Sequence, residues 1–249
     1  MTAPEIVVRP DAVALARSVA EELVGRLATA QATHGSASVV LTGGGVGIAV
    51  LEQVAALSAG VDWTAVDIWW GDERFVPADS DDRNEGAARR ALLDVVGVPP
   101  GRVHAMPASE GEFAEPEDAA AWYAGELAAA AAPGEDLPRF DVLLLGIGPE
   151  GHTASIFPES PAAADRRPVF AVRDCPKPPP TRVSLGFSAI NSADEVWLVV
   201  AGAEKAPAVA QALAGADPVE LPAAGVHGRS ATRWLLDAAA AGELPGSGA

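Results

Sequence analysis

Apolar positions along the chain switch between a period of two and a helical period, and the switching predicts strands separated by helices. Ile6 to Arg9 reads as a short strand. Asp11 then caps a helix in which Val13, Leu15, Ala16, Val19, Leu23, Val24 and Leu27 recur at helical spacing. Ala37 to Leu41 forms a second strand, which runs through Thr42-Gly43-Gly44-Gly45-Val46-Gly47 into a helix from about Ile48 to Leu57. Asp62 to Trp69 makes a third. After the polar segment Ala78 to Arg83, Asn84 opens a helix through Ala87, Ala91, Leu92 and Val95. A short strand near Val103 to Ala105 precedes an alanine-rich helix from Glu117 to Ala131. Val142 to Leu145 is apolar on both faces and suits a fully buried strand, leading into a glycine loop and a helix start that Thr153 caps. Pro168 to Val172 and Asp194 to Val200 read as strands, the latter followed by a helix to about Leu213. Arg229 to Leu236 supplies a last strand or helix, and Gly242 to Ala249 should fray. The pattern predicts one α/β domain over residues 1–249.

Charge narrows the partners. Seventeen basic against 34 acidic residues give a net charge of −17, so neither nucleic acid nor an anionic membrane is an expected partner, and an anionic substrate needs a locally basic pocket. Cys175 is the single cysteine, which rules out an intrachain disulfide and a cysteine-rich zinc site. Met1 to Pro10 lacks the basic and apolar regions of a signal peptide, and no apolar run reaches the roughly 18 to 20 residues that span a bilayer. A soluble, cytoplasmic protein is expected.

Candidate chemistry gathers after strands. Gly43, Gly44 and Gly45 join a strand to a helix start, the arrangement of a backbone phosphate cradle, although a purely structural turn has the same composition. The P-loop pattern is absent, which disfavours nucleoside triphosphates. Asp72-Glu73-Arg74 follows the third strand, either as functional charges or as an internally paired surface turn. Gly146, Gly148 and Gly151 match the dinucleotide spacing, yet Pro149 stiffens the loop and no acidic residue stands about twenty positions on in a clear βαβ unit. The same loop delivers Glu150 and His152 beyond the carboxyl end of the apolar strand, where α/β proteins bind ligands; the alternative is a His at a polar surface. Ser155 lacks the G-x-S-x-G elbow of a serine nucleophile. Prolines around Lys177 and Arg182 hold two cations in a segment unfit for a helix or central strand. Lys205 lies near a helix N-terminus, against the macrodipole preference. The histidines are scattered without ligand spacing, so no metal is expected.

Taken together, Trp70-Gly71-Asp72-Glu73-Arg74-Phe75-Val76-Pro77, the stretch Gly146-x-Gly148-x-x-Gly151-His152-Thr153-Ala154-Ser155-Ile156-Phe157-Pro158 and Lys177-Pro178-Pro179 resemble the 6-phosphogluconolactonase family. The likeness extends to Thr42-Gly43-Gly44, to Leu198-Val199-Val200-x-Gly202-x-x-Lys205 and to Trp234-x-x-Asp237, nearly the whole chain. Glu150 stands where that family usually has Asp, and Asp82-Arg83-Asn84 where Ser-Asn is common.

The resemblance implies a Rossmann-like three-layer α/β/α fold, a mostly parallel sheet with helices on both faces. It implies hydrolysis of 6-phospho-D-glucono-1,5-lactone to 6-phosphogluconate in the oxidative pentose phosphate pathway, without metal, nicotinamide or other cofactor. His152 would act as general base and then general acid, with Asp72 and Glu150 as its catalytic companions. The Gly146 to Gly151 loop, with Gly148 and Gly151, or the helix start beyond it would donate N–H groups to the oxyanion. Gly43, Gly44 and Gly45 with Arg74, Lys177, Arg182 and Lys205 are the phosphate candidates. The partner is then a phosphosugar lactone, and the protein a monomer or small homo-oligomer. Two rivals are a glucosamine-6-phosphate deaminase, from a similar family whose motif continues toward an acidic residue ahead of a proline, and a sugar-phosphate sensor without catalysis.

Overall fold

The computed structural model describes residues 3–245. The chain opens with β1 (Glu5–Arg9), α1 (Ala12–His34), β2 (Ala37–Leu41), α2 (Gly45–Ala56), β3 (Val66–Trp70) and a three-residue strand β4 (Asp72–Arg74). A bent helix follows, α3 (Asn84–Ala88) and α4 (Asp94–Val96) joined by a π-helical turn at Arg89–Leu93. Then come α5 (Pro116–Ala130), β5 (Val142–Leu145), β6 (Val169–Val172), β7 (Arg182–Leu185), α6 (Phe187–Ile190), β8 (Glu195–Val200), α7 (Ala206–Leu213) and β9 (Ala231–Asp237).

Six strands form one sheet in the order β1-β9-β8-β5-β2-β3, and all of its pairings are parallel. Side chains alternate across it. Val142, Leu144, Trp197, Val199 and Leu235 face a core shared with α1 and α2, while Leu143, Leu145, Val196, Leu198, Trp234 and Leu236 face the layer that holds α5 and α7. Leu143, Leu144 and Leu145 are at most 1% exposed. At about 1.5–3 kcal/mol for each fully buried leucine, they fix β5 at the middle of the sheet and so fix where its carboxyl end emerges. The three-layer α/β arrangement is the expected one.

Local chemistry explains the best-defined boundaries. Asp11 Oδ1 accepts the Ala14 N–H at 2.8 Å, and Gly35, at φ +80°, ends α1 by donating to Gln31 O. β9 resolves the strand-or-helix choice for Arg229 to Leu236 in favour of a strand. The expected strand from Asp62 begins only at Val66, because the Asp62 carboxylate accepts the Thr64 N–H and caps a 3₁₀ turn over Trp63–Ala65. Val103 makes an isolated bridge to Ile68 in place of a strand. Leu244 packs against the core, and residues 246–249 of the expected frayed end lie outside the described residues.

A second sheet, β4-β7-β6, is antiparallel and departs from the single-sheet expectation. Gly71 is the crossing point. Its N–H donates to Leu41 O at the end of β2, and its carbonyl accepts the Leu185 N–H of β7. The chain thereby passes from β3 into β4 above the carboxyl ends of the parallel strands, which brings Asp72 and Arg74 over the loop that follows β5.

Candidate active site

His152 is delivered by a loop that folds back on β5. The Gly148 N–H donates to His152 O at 2.9 Å, the Gly151 N–H to Gly148 O at 3.0 Å, and the Thr153 hydroxyl to Gly146 O at 3.1 Å. Thr153 then pairs with Ile156 in a tight turn through Ala154, which adopts φ +47°. The helix expected after Thr153 does not form: the threonine hydroxyl is turned back toward β5 and caps nothing. Two consequences follow for the oxyanion. No helix N-terminus lies there, and the N–H groups of Gly148 and Gly151 are occupied within the loop, so they are not the donors expected of them.

The imidazole packs against Phe157, with ring centres 4.6 Å apart, and its side chain is 18% exposed. Nδ1 lies 2.9 Å from Glu150 Oε1, and Lys177 Nζ is 3.0 Å from Glu150 Oε2 and 3.5 Å from His152 Nδ1. A charged carboxylate can only accept, so the pairing puts the proton on Nδ1 and leaves the Nε2 lone pair free. Burial holds the imidazole below its ordinary value near 6.5; Glu150 pulls it up, and Lys177 pushes it further down. Burial alone would raise the Glu150 carboxyl, but its own backbone N–H, Lys177 and His152 outweigh that and hold it below the ordinary glutamate range.

Gly148 makes this contact possible. A Cβ there would stand 2.0 Å from His152 Nδ1 and 2.4 Å from Glu150 Oε2. Gly151 serves the loop differently: at φ +86° it packs on Leu221, whose Cγ a Cβ would meet at 2.5 Å.

Asp72 is buried across the cleft from His152. Its Oδ2 accepts the Ser155 hydroxyl at 2.6 Å and lies 3.6 Å from Arg182 Nη1, while its backbone carbonyl accepts Asn84 Nδ2. Ser155 is wholly buried in that bond, consistent with the missing serine elbow. Arg182 begins β7, a strand that the adjoining prolines hid, and its guanidinium donates to the carbonyls of Lys177, Pro178 and Pro179. Arg74 Nη1 donates to Asp82 O, and its buried Nε has no partner.

Two hollows meet at Gly43, Gly44, Gly146 and Ile147. One, of about 140 Å³, is lined by His152, Asp72, Arg74, Asn84 and Arg182. The other, of about 470 Å³, runs along Gly43 to Val46 to Lys205. Gly44 precedes α2 without a side-chain cap, which leaves the first N–H groups of a twelve-residue helix facing that hollow. Lys205 ends a 3₁₀ turn just ahead of α7; burial draws its ammonium below the ordinary lysine range, an effect that Glu204 partly opposes. The hollows thus gather His152, Asp72, Arg74, Arg182, Lys205 and the glycine turn, while Glu150 and Lys177, which line neither, are paired beside the histidine.

Sequence reasoning left Glu73 undecided within Asp72-Glu73-Arg74 and gave neither it nor Asn84 a place in the site. Glu73 is 1% exposed; it accepts the N–H groups of Arg74, Asn84 and Glu85 and lies 3.8 Å from Arg83 Nη2. Burial pushes its carboxyl above the usual range against the pull of Arg83 and these three donors. The paired surface turn weighed for Asp72-Glu73-Arg74 is therefore not what forms. Strand alternation was the available signal, since it sends Asp72 and Arg74 to one side and Glu73 to the other. Glu73→Ala removes the acceptor of three backbone donors, and urea denaturation should show a loss of about 2–3 kcal/mol. Asn84 packs on Gly43, where a Cβ would meet its Oδ1 at 2.0 Å, and so ties the glycine turn to Asp72.

A parallel sheet carrying a histidine–carboxylate pair and a cation-flanked glycine turn at its carboxyl ends defines a Rossmann-like α/β enzyme. Residues 10–234 match the model of the glucosamine-6-phosphate isomerases/6-phosphogluconolactonase family, and the chain belongs to that family. It is similar to 6-phosphogluconolactonase of Mycobacterium tuberculosis, 52% identical over 238 residues that cover 95% of this chain and 96% of that protein. The Streptomyces coelicolor 6-phosphogluconolactonase is 50% identical, with 98% and 96% covered. The crystal structure of 6-phosphogluconolactonase from Thermotoga maritima superposes with a TM-score of 0.82 at 28% identity, covering 94% of this chain and 99% of that one.

Proposed function

We propose that the protein hydrolyses 6-phospho-D-glucono-1,5-lactone to 6-phospho-D-gluconate, the lactone-opening step of the pentose phosphate pathway. The observation that carries the mechanism is the His152–Glu150 contact in a cleft beside a cation-flanked glycine turn, which supports a tautomer with the proton on Nδ1 and Nε2 as the base. Full-length similarity to proteins named for this reaction supports the substrate. Water attacks the lactone carbonyl while Nε2 takes its proton. The tetrahedral adduct then breaks the bond from carbonyl carbon to ring oxygen, and the imidazolium returns the proton to that oxygen. Asp72, held by Ser155, orients the sugar hydroxyls in the smaller hollow.

The phosphate sits in the larger hollow, between the α2 N-terminus at Gly44 and Gly45 and the ammonium of Lys205, with Arg74 reaching it from the adjoining cleft. A cytoplasmic setting accompanies this reading.

Proton release from fresh phosphogluconolactone, compared with ammonia release from glucosamine 6-phosphate, tests the reaction; ammonia without acid would favour the deaminase. For the phosphate, Lys205→Ala and Arg74→Ala should each raise KM by roughly 10-fold or more, the effect of losing a charge-assisted contact of about 1.5–3 kcal/mol. Neither should alter KM for unphosphorylated gluconolactone. Equal KM changes on both lactones would refute the phosphate assignment.

A further inference from the structure

Lys177 reads from sequence as a phosphate cation, yet its ammonium pairs with Glu150 and lines neither hollow. It sits in a short segment held at several points. The Cys175 N–H donates to Pro180 O, the Cys175 thiol to Lys177 O at 3.0 Å, and Arg182 to the carbonyls of Lys177, Pro178 and Pro179. From that platform Nζ reaches both Glu150 oxygens at 3.0 Å and stops 3.5 Å from His152 Nδ1.

We propose that Lys177 is a positioning residue for His152, acting through Glu150. The inference rests on the assignment of His152 as the base. Glu150 is a third exposed and has one more rotatable bond than an aspartate, so a single contact to Nδ1 would leave its carboxylate free to swing into water. Lys177 lies 3.0 Å from both carboxylate oxygens, the one that faces Nδ1 included, and so pins the group beside the imidazole. With Nδ1–H committed to Glu150, the ammonium has no lone pair to accept it at Nδ1; the proton stays there and Nε2 stays basic.

The charge matters as well as the contact. Glu150 on the same loop, Lys177 ahead of β7 and Asp72 on β4 are the charged groups that act on the imidazole, and Phe157 covers its face. Burial disfavours the imidazolium first; the two carboxylates favour it, and Lys177 opposes them and adds to the effect of burial.

The test reads the imidazole itself. The chain has four histidines, and the NMR titration of His152, assigned by its loss in His152→Ala, gives its midpoint without substrate. Lys177→Met should raise that midpoint by on the order of 1 pH unit, Glu150→Gln should lower it, and Lys177→Arg should hold it near wild type. The acid limb of kcat/KM should move upward in Lys177→Met by the same amount on phosphorylated and unphosphorylated gluconolactone. An unmoved midpoint in folded Lys177→Met overturns the proposal, as does a loss confined to the phosphorylated lactone through KM, which would make Lys177 a phosphate ligand. Should Lys177→Met not fold, Lys177→Gln is read by the same criteria. If wild type fails to hydrolyse either lactone while the midpoint shifts as stated, the proposed reaction falls and the coupling stands; hydrolysis with a fixed midpoint sinks the coupling alone.

Discussion

His152→Ala should lower kcat on phosphogluconolactone by about 10²- to 10⁴-fold and leave KM nearly unchanged, since a positioned proton-transfer group acts in the transition state and adds little ground-state binding. The substitution removes a side chain at a cleft wall that is not part of either apolar core, so circular dichroism should show a folded protein. Proton release near or below neutrality, with the spontaneous hydrolysis subtracted, measures the loss. The pH dependence follows from burial and from Lys177, which together hold the imidazole below 6.5 against the pull of Glu150. A base must be unprotonated, so kcat/KM should rise with pH through a midpoint below 6.5 and then level off. The same shift acts on stability. Between the lowered folded value and the unfolded one the unfolded chain binds more protons, so this group's contribution to stability falls as pH drops through that window. Retention of more than about a third of wild-type kcat would be far from the 10²-fold expected and would move the search for the base to Asp72.

The parts of the molecule legible in the sequence are those where burial repeats with a period. β2, β5 and β8 are buried at every position, and their apolar runs announce it. The carboxyl end of β5 then locates His152 and Glu150 without any knowledge of the tertiary contacts. The second sheet was hidden for a physical reason. β4 is three charged residues with no apolar position, and β7 alternates over only four residues, Arg182-Val183-Ser184-Leu185, just after a run of prolines; both are strands because they pair with each other from Asp72–Ser184 to Arg74–Arg182. Lys177's pairing with Glu150 was hidden for a related reason. Sequence shows a cation in a stiff segment, but the direction of its ammonium depends on how Arg182 and Cys175 hold that segment's carbonyls. The helix expected at Thr153 failed because the threonine hydroxyl found Gly146 O, a long-loop contact that no local propensity encodes.

Gly148→Ala should separate the geometry of the catalytic pair from the stability of the fold. Gly148 is absent from the positive-φ positions, so its backbone accepts an alanine without the strain that Gly151, at φ +86°, would suffer. The three atoms nearest the added methyl all belong to the dyad: it would stand 2.0 Å from His152 Nδ1, 2.3 Å from Cε1 and 2.4 Å from Glu150 Oε2. Both side chains are partly exposed and can swing outward, so the clash resolves by parting imidazole from carboxylate and leaves the two apolar cores undisturbed. A misplacement of about 1 Å in a positioned catalytic group can cost on the order of 10²-fold, and here the required displacement exceeds that, since contacts of 2.0 Å must open to ordinary van der Waals distance. The expected result is a protein with wild-type melting behaviour and a kcat reduced by roughly 10²-fold or more, approaching that of His152→Ala. Adding Gly148→Ala to His152→Ala should then cost little further, because the methyl acts only through the histidine it displaces. Wild-type kcat in a folded Gly148→Ala protein would mean that the His152–Glu150 contact is not what makes the histidine a base. Independent, multiplying losses in the double variant would instead place a second function on the loop itself.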